Sequence, residues 1–198
     1  MSSRKSGPNE FWLYVASGGL ALFCIFALGR LWEADLRYPI VQLTGDAIAM
    51  QACVFKGMIE NPWYLDNRWL GAPFGANFRD FAGPDLLMVA VIKLLTVFTN
   101  NHNLLRNIIA IASYPLVTLS SLFVMRRLGV RFGVALAASV LFAFISYHHV
   151  RVGPHLFLGV GYFTVPFATL MSLWFLEDKP LFVVPSLRRV PWRIEFNR

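Results

Sequence analysis

The chain has 198 residues, of which 57% are hydrophobic and 15% charged, with a net charge of +7 and a mean hydropathy of +0.55. A water-soluble domain of this size cannot hide that much apolar surface, which excludes the ordinary soluble classes. The basic residues stand beside hydrophobic stretches, with no zinc-finger spacing and no interleaved basic–aromatic stripe, so they point to anionic lipid and not to nucleic acid.

In chain order, Arg4 and Lys5 precede residues 11–29, which carry no Asp, Glu, Lys or Arg. That stretch is longer than the 7–15-residue apolar region of a signal peptide, so it reads as an uncleaved anchor over 1–29. Residues 30–102 form a polar insert holding seven of the eleven acidic residues. Trp32 and Tyr38 suit the lipid headgroup zone. Thr44-Gly45-Asp46 precedes a helix-like run from Ala47 to Ile59, with Asp46 at or near the N-cap. Asn61-Pro62 stops that run, and Trp63–Gly83 reads as an ordered loop with a strong turn at Gly71-Ala72-Pro73-Phe74-Gly75. Residues 86–98 are apolar except for Lys93 and Thr96, and too short to cross a bilayer. They read as an interfacial or re-entrant helix.

Three further uncharged stretches follow, at 107–125, 132–147 and 156–176, with many Gly, Ser and Ala residues that let helices approach closely in lipid. With 11–29 they make about four transmembrane helices. The expected fold is therefore an all-α integral membrane protein with a large extracytoplasmic first loop carrying interfacial helices. Its parts are an anchor (1–29), the loop with juxtamembrane helices (30–102), a three-span bundle (103–176) and a basic cytoplasmic tail (177–198). Arg126, Arg127 and Arg131, and then Arg188, Arg189 and Arg193, fall on the same side as the N-terminus. The positive-inside rule thus places both termini in the cytoplasm and the insert outside the plasma (inner) membrane. Cys24 and Cys53 lie at different depths and form no disulfide framework.

Three groups of residues could carry chemistry on the outer side. Asp46 is an acid at a helix start near the membrane, placed either to cap the helix or to act as a base. Arg79, Asp80 and Asp85 precede the short apolar helix, as a solvated ion-pair loop or as contacts to a lipid headgroup. Arg106 opens the second span, where it either snorkels or meets phosphate. His148, His149, Arg151 and His155 form the third group. They suit phosphate binding, proton transfer or a divalent metal, although their spacing matches no closed metal site.

Several motifs together resemble the GT-C class of membrane glycosyltransferases. They are Thr44-Gly45-Asp46 after the first span, Tyr64-Leu65-Asp66-Asn67, Gly71-Ala72-Pro73-Phe74-Gly75, Arg79-Asp80-Phe81 and Pro84-Asp85-Leu86-Leu87. Arg126-Arg127-Leu128-Gly129, Tyr147-His148-His149 and Gly153-Pro154-His155-Leu156-Phe157-Leu158 complete the order, over residues 40–176. The resemblance implies transfer of a sugar from a polyprenyl-phosphate donor to an acceptor hydroxyl on the outer face. Asp46 would then be catalytic, and Arg79, Asp80, Asp85, Arg106, His148, His149, Arg151 and His155 would bind substrate. No cofactor beyond a divalent metal is implied. GT-C enzymes carry more spans, so the chain corresponds to their N-terminal portion, whether truncated or completed by a partner subunit that supplies further helices. A noncatalytic subunit binding lipid-linked sugar is the competing reading. A transporter is disfavoured, because ionisable residues gather at span ends rather than at the midplane.

Overall fold

A computed structural model describes residues 8–40, 55–61, 63, 65–67, 71, 73–77, 86–153 and 155–177. It is almost wholly helical. In chain order come α1 (Pro8–Leu28), α2 (described over residues 55–60), β1 (Asp66–Asn67), β2 (Ala76–Asn77) and α3 (Leu86–Leu95). These are followed by α4 (His102–Arg127), α5 (Phe132–Ala143), α6 (Ser146–Val152), α7 (Leu156–Gly161) and α8 (Thr164–Leu176).

Two helices, Glu10–Leu28 and His102–Arg127, are long and apolar enough to cross a membrane. At 1.5 Å per residue, α1 and α4 measure roughly 32 Å and 39 Å. The pair α5 and α6 makes a third crossing if its 42° bend lies within one span. The protein is thus an integral membrane protein with two or three crossing helices. The fourth uncharged stretch, expected as one span over 156–176, is divided between α7 and α8. Pro166 is the physical reason. It has no N–H to give the Tyr162 carbonyl, which accepts instead from Val165 N at 3.1 Å, so the helix tightens by one residue at Tyr162–Phe163. Both junction residues keep right-handed helical dihedrals.

The ends of α1 and α4 close in the same way. After α4, Val130 N donates to Met125 O and Gly129 N to Arg126 O, with Gly129 at φ 85. After α1, Leu31 N donates to Phe26 O and Arg30 N to Ala27 O, with Arg30 at φ 47. Both are Schellman caps. Glycine fits the left-handed position freely, whereas arginine there costs about 1–2 kcal/mol.

α4 is the central post and packs against α1, α5, α7 and α8. Close approach is built in: Gly18 of α1 faces the Leu119 side chain, and a Cβ there would sit at 3.5 Å. The main core joins the insert to the bundle. Phe55 and Met58 of α2 and Val89 and Ile92 of α3 are buried with Leu105, Ile109, Val152, Leu156 and Val160. The described helices of the insert, α2 from residue 55 and α3, are therefore packed onto the bundle. The turn expected at 71–75 joins β1 to β2, with Asp66 paired to Asn77 and both Gly71 and Gly75 at positive φ. Only the part of the 47–59 helix from residue 55 onward lies within the described residues.

Candidate functional site

The site runs from the end of the bundle that faces the insert inward to the middle of α4. It is organised by one face of α4, where positions 106, 110 and 113–114 follow one another at helical spacing. Asn101 caps this helix by accepting from Leu104 N at 3.0 Å. One turn further on, the buried Asn107 amide donates to Leu36 O at 2.8 Å and Tyr38 O at 2.6 Å, and accepts from Ile40 N at 3.5 Å. That single side chain ties the stretch after α1 to the start of α4. Trp32 and Tyr38 remain exposed, as headgroup aromatics should.

Arg106 is 8% exposed, and its Nη2 donates to Gly153 O at 2.7 Å. Among the described residues it has no other hydrogen bond and no carboxylate within ion-pair distance. Residues 86–176 contain no acidic residue at all. A guanidinium carries five N–H donors, and the bond to Gly153 O uses one of them, so others remain for a further partner at this junction.

His148 is 0% exposed and holds the broken third stretch together. Its Nδ1 lies 2.6 Å from Ala143 O, the carbonyl left without a helical donor where α5 stops. A carbonyl only accepts, so Nδ1 carries a proton. Its Nε2 lies 3.1 Å from Ser113 Oγ, which itself donates to Ala110 O at 2.7 Å. With a neutral ring, the one hydroxyl proton must choose between Nε2 and Ala110 O. The neutral ring fits its burial: Nδ1–H donates to Ala143 O, and Nε2 accepts from or lies beside the Ser113 hydroxyl that also reaches Ala110 O. The ring is also packed between Tyr114 and Tyr162, with centroids at 4.7 and 5.4 Å.

His149 is exposed, and its Nδ1 pairs with Tyr114 Oη at 2.9 Å. Arg151 places its guanidinium carbon 5.4 Å from the Tyr147 ring centre and has no carboxylate partner among the described residues. His155 is exposed at the start of α7. The tight turn between α6 and α7 depends on Gly159, where a Cβ would stand 2.7 Å from Val152 N.

The structure thus gathers Arg106, His148, His149, Arg151 and His155 around the junctions of α4, α6 and α7. Asp46, Arg79, Asp80 and Asp85 lie outside the described residues. Among the described residues no group of three or more His, Cys, Asp or Glu could hold a metal. Sequence reasoning missed Asn107, Ser113 and Tyr114 as partners. The signal available was their spacing of one, seven and eight positions from Arg106, which places Asn107 beside it and Ser113 and Tyr114 two turns further in, at the middle of α4. No protein-family model, curated protein or solved structure matches the chain.

Proposed function

We propose that this chain binds a polyprenyl-phosphate sugar on the outer face of the membrane and transfers the sugar to an acceptor hydroxyl, in the manner of a GT-C-like module. The observation that carries the reading is Arg106. A buried cation costs several kcal/mol unless an anion compensates it, and none does so among the described residues. Arg151, His149 and His155 add cationic or proton-donating groups at the same junction. A phosphate diester at the membrane surface supplies the missing charge, and arginine's planar donors fit its oxygens in pairs.

In this mechanism Asp46 accepts the proton of the acceptor hydroxyl, whose oxygen attacks the sugar's anomeric carbon. The bond to the phosphate oxygen breaks, and the cationic cluster stabilises the departing lipid phosphate. The proposal includes four crossings, with α7 and α8 as the fourth, and both termini in the cytoplasm. Membrane lipid and a further subunit supplying helices are the partners it calls for.

The test follows sugar transfer in membranes that hold a polyprenyl-phosphate sugar pool. Asp46→Asn keeps the size and capping ability but loses the basicity. Transfer should fall by orders of magnitude at unchanged expression. Unchanged transfer in the variant would reduce Asp46 to a helix cap. A second reading, a noncatalytic subunit that holds lipid-linked sugar, is favoured by one observation: Arg106 and His148 already bond helices to one another. Donor binding without transfer by the wild-type chain would select it.

A further inference from the structure

α3 has no polar face. Around its axis, Val89 and Ile92 turn into the core shared with Leu105, Ile109 and Ala110 of α4. The opposite arc carries Leu86, Leu87, Ala90, Val91 and Leu94, and the turn that follows adds Val97 and Phe98. All seven are exposed, up to 81% at Phe98. The one charged side chain, Lys93, lies between the two arcs and turns back to donate to Asn61 O at 2.5 Å. A helix lying on a membrane surface would show polar residues to water on the side opposite its apolar face. This one shows hydrocarbon on both sides.

We infer that α3 is immersed in the leaflet on the insert's side, without crossing it, and that lipid acyl chains cover the arc Leu87–Val91–Leu94–Phe98. The level is fixed by its packing. The core that holds α3 runs along α4 from Leu105, beside Arg106, to Ala110, about 7.5 Å inward. The crossing helix α4 also turns apolar side chains outward, with Ile108 and Leu116 exposed. At ten residues α3 is about 15 Å long, half of a hydrocarbon core. Lys93 anchors its upper side to the insert, and the apolar arc faces outward and down. This inference does not depend on the donor reading.

The experiment uses the full chain in phosphatidylcholine–phosphatidylglycerol vesicles, with Cys24 and Cys53 replaced by Ser. Nitroxide labels are placed singly through Leu94→Cys, Val91→Cys, Leu116→Cys and Asn77→Cys. Labels at 91 and 94 should collide with oxygen several-fold more than with an aqueous nickel chelate, as the label at 116 should in the span. The label at 77, on the hairpin, should show the reverse. Nickel accessibility at 91 and 94 equal to that at 77 would overturn the inference. So would dipolar broadening between copies at 94 in vesicles of low protein density, because a second copy would then cover the arc.

Discussion

Arg126 Nη2 donates to Glu10 Oε1 at 3.3 Å, joining residues 116 positions apart at the same end of the bundle. Glu10 stands in the first turn of α1 and Arg126 in the last turn of α4, so each charge also favours its own helix dipole. Asn107 makes the matching tie at the other end, to Leu36 and Tyr38 just beyond α1. α1 and α4 are therefore antiparallel, and the insert and the α4–α5 turn lie at opposite ends. Gly129→Cys and Asn77→Cys should label with a membrane-impermeant maleimide from opposite sides, with Asn77 reactive from outside in intact cells. Labelling of both from one side would break the antiparallel arrangement. Asn67 and Val152 are poor reporters, because both are buried.

Gly159 predicts a sharp steric effect. Its absent Cβ would lie 2.7 Å from Val152 N and 2.8 Å from Val152 Cα, which are backbone atoms that cannot swing aside. Gly159→Ala should therefore push α7 off α6 and cost about 1–3 kcal/mol, read as a lower midpoint in thermal unfolding of the detergent-solubilised chain. Gly133→Ala is the control. No atom lies within 4 Å of its would-be Cβ, so helix propensity alone should leave it neutral or up to about 1 kcal/mol more stable. Equal effects at the two glycines would show that propensity and not contact governs both.

The membrane class, both long crossing helices, the turn at Gly71–Gly75 and the short helix at 86–95 were legible in the sequence. Each rests on local composition or on a turn residue whose dihedral is nearly forced. What was not legible depends on partners distant in sequence. A count of charges finds 156–176 long enough to cross, but it does not register that Pro166 withholds the N–H that Tyr162 O needs. Ser113 reads as a small packing residue until His148 arrives from another helix. Arg106 reads as a residue that snorkels into water, yet the structure buries it against Gly153. Histidine at a span end suggested a ligand, and at 148 its nearest atoms are a serine hydroxyl and a freed carbonyl.

Asn107 should behave as a clasp. Asn107→Ala leaves the Leu36 and Tyr38 carbonyls without their donor, a loss of about 1–3 kcal/mol when the groups stay buried. The segment should then open locally, and trypsin should cut at the exposed Arg37 much faster than in wild type. Asn107→Asp keeps the size and the acceptor but not the two N–H donors, so it should resemble the alanine variant. Protection at Arg37 equal to wild type in both variants would mean that the segment is held by other contacts.

The cationic junction separates a binding role from a structural one. Arg151 is half-buried, and among the described residues its guanidinium has the Tyr147 ring and no ion pair, so Arg151→Gln should leave thermal unfolding unchanged. If it contacts phosphate, it removes a charge-assisted hydrogen bond of about 1.5–3 kcal/mol, and affinity for a polyprenyl phosphate in nanodiscs should fall about 10–100-fold. Arg106→Gln can still offer an amide N–H to Gly153 O but gives up the charge. It should lose affinity at least as strongly as Arg151→Gln, while its unfolding midpoint stays equal or rises, because a buried cation without a carboxylate partner among the described residues has been removed. A phosphate-dependent rise in the wild-type midpoint, absent in both variants, would tie the two arginines to one anion. If Arg106→Gln instead lowers stability and leaves affinity untouched, the guanidinium is compensated from within the fold, and the phosphate site must be sought elsewhere.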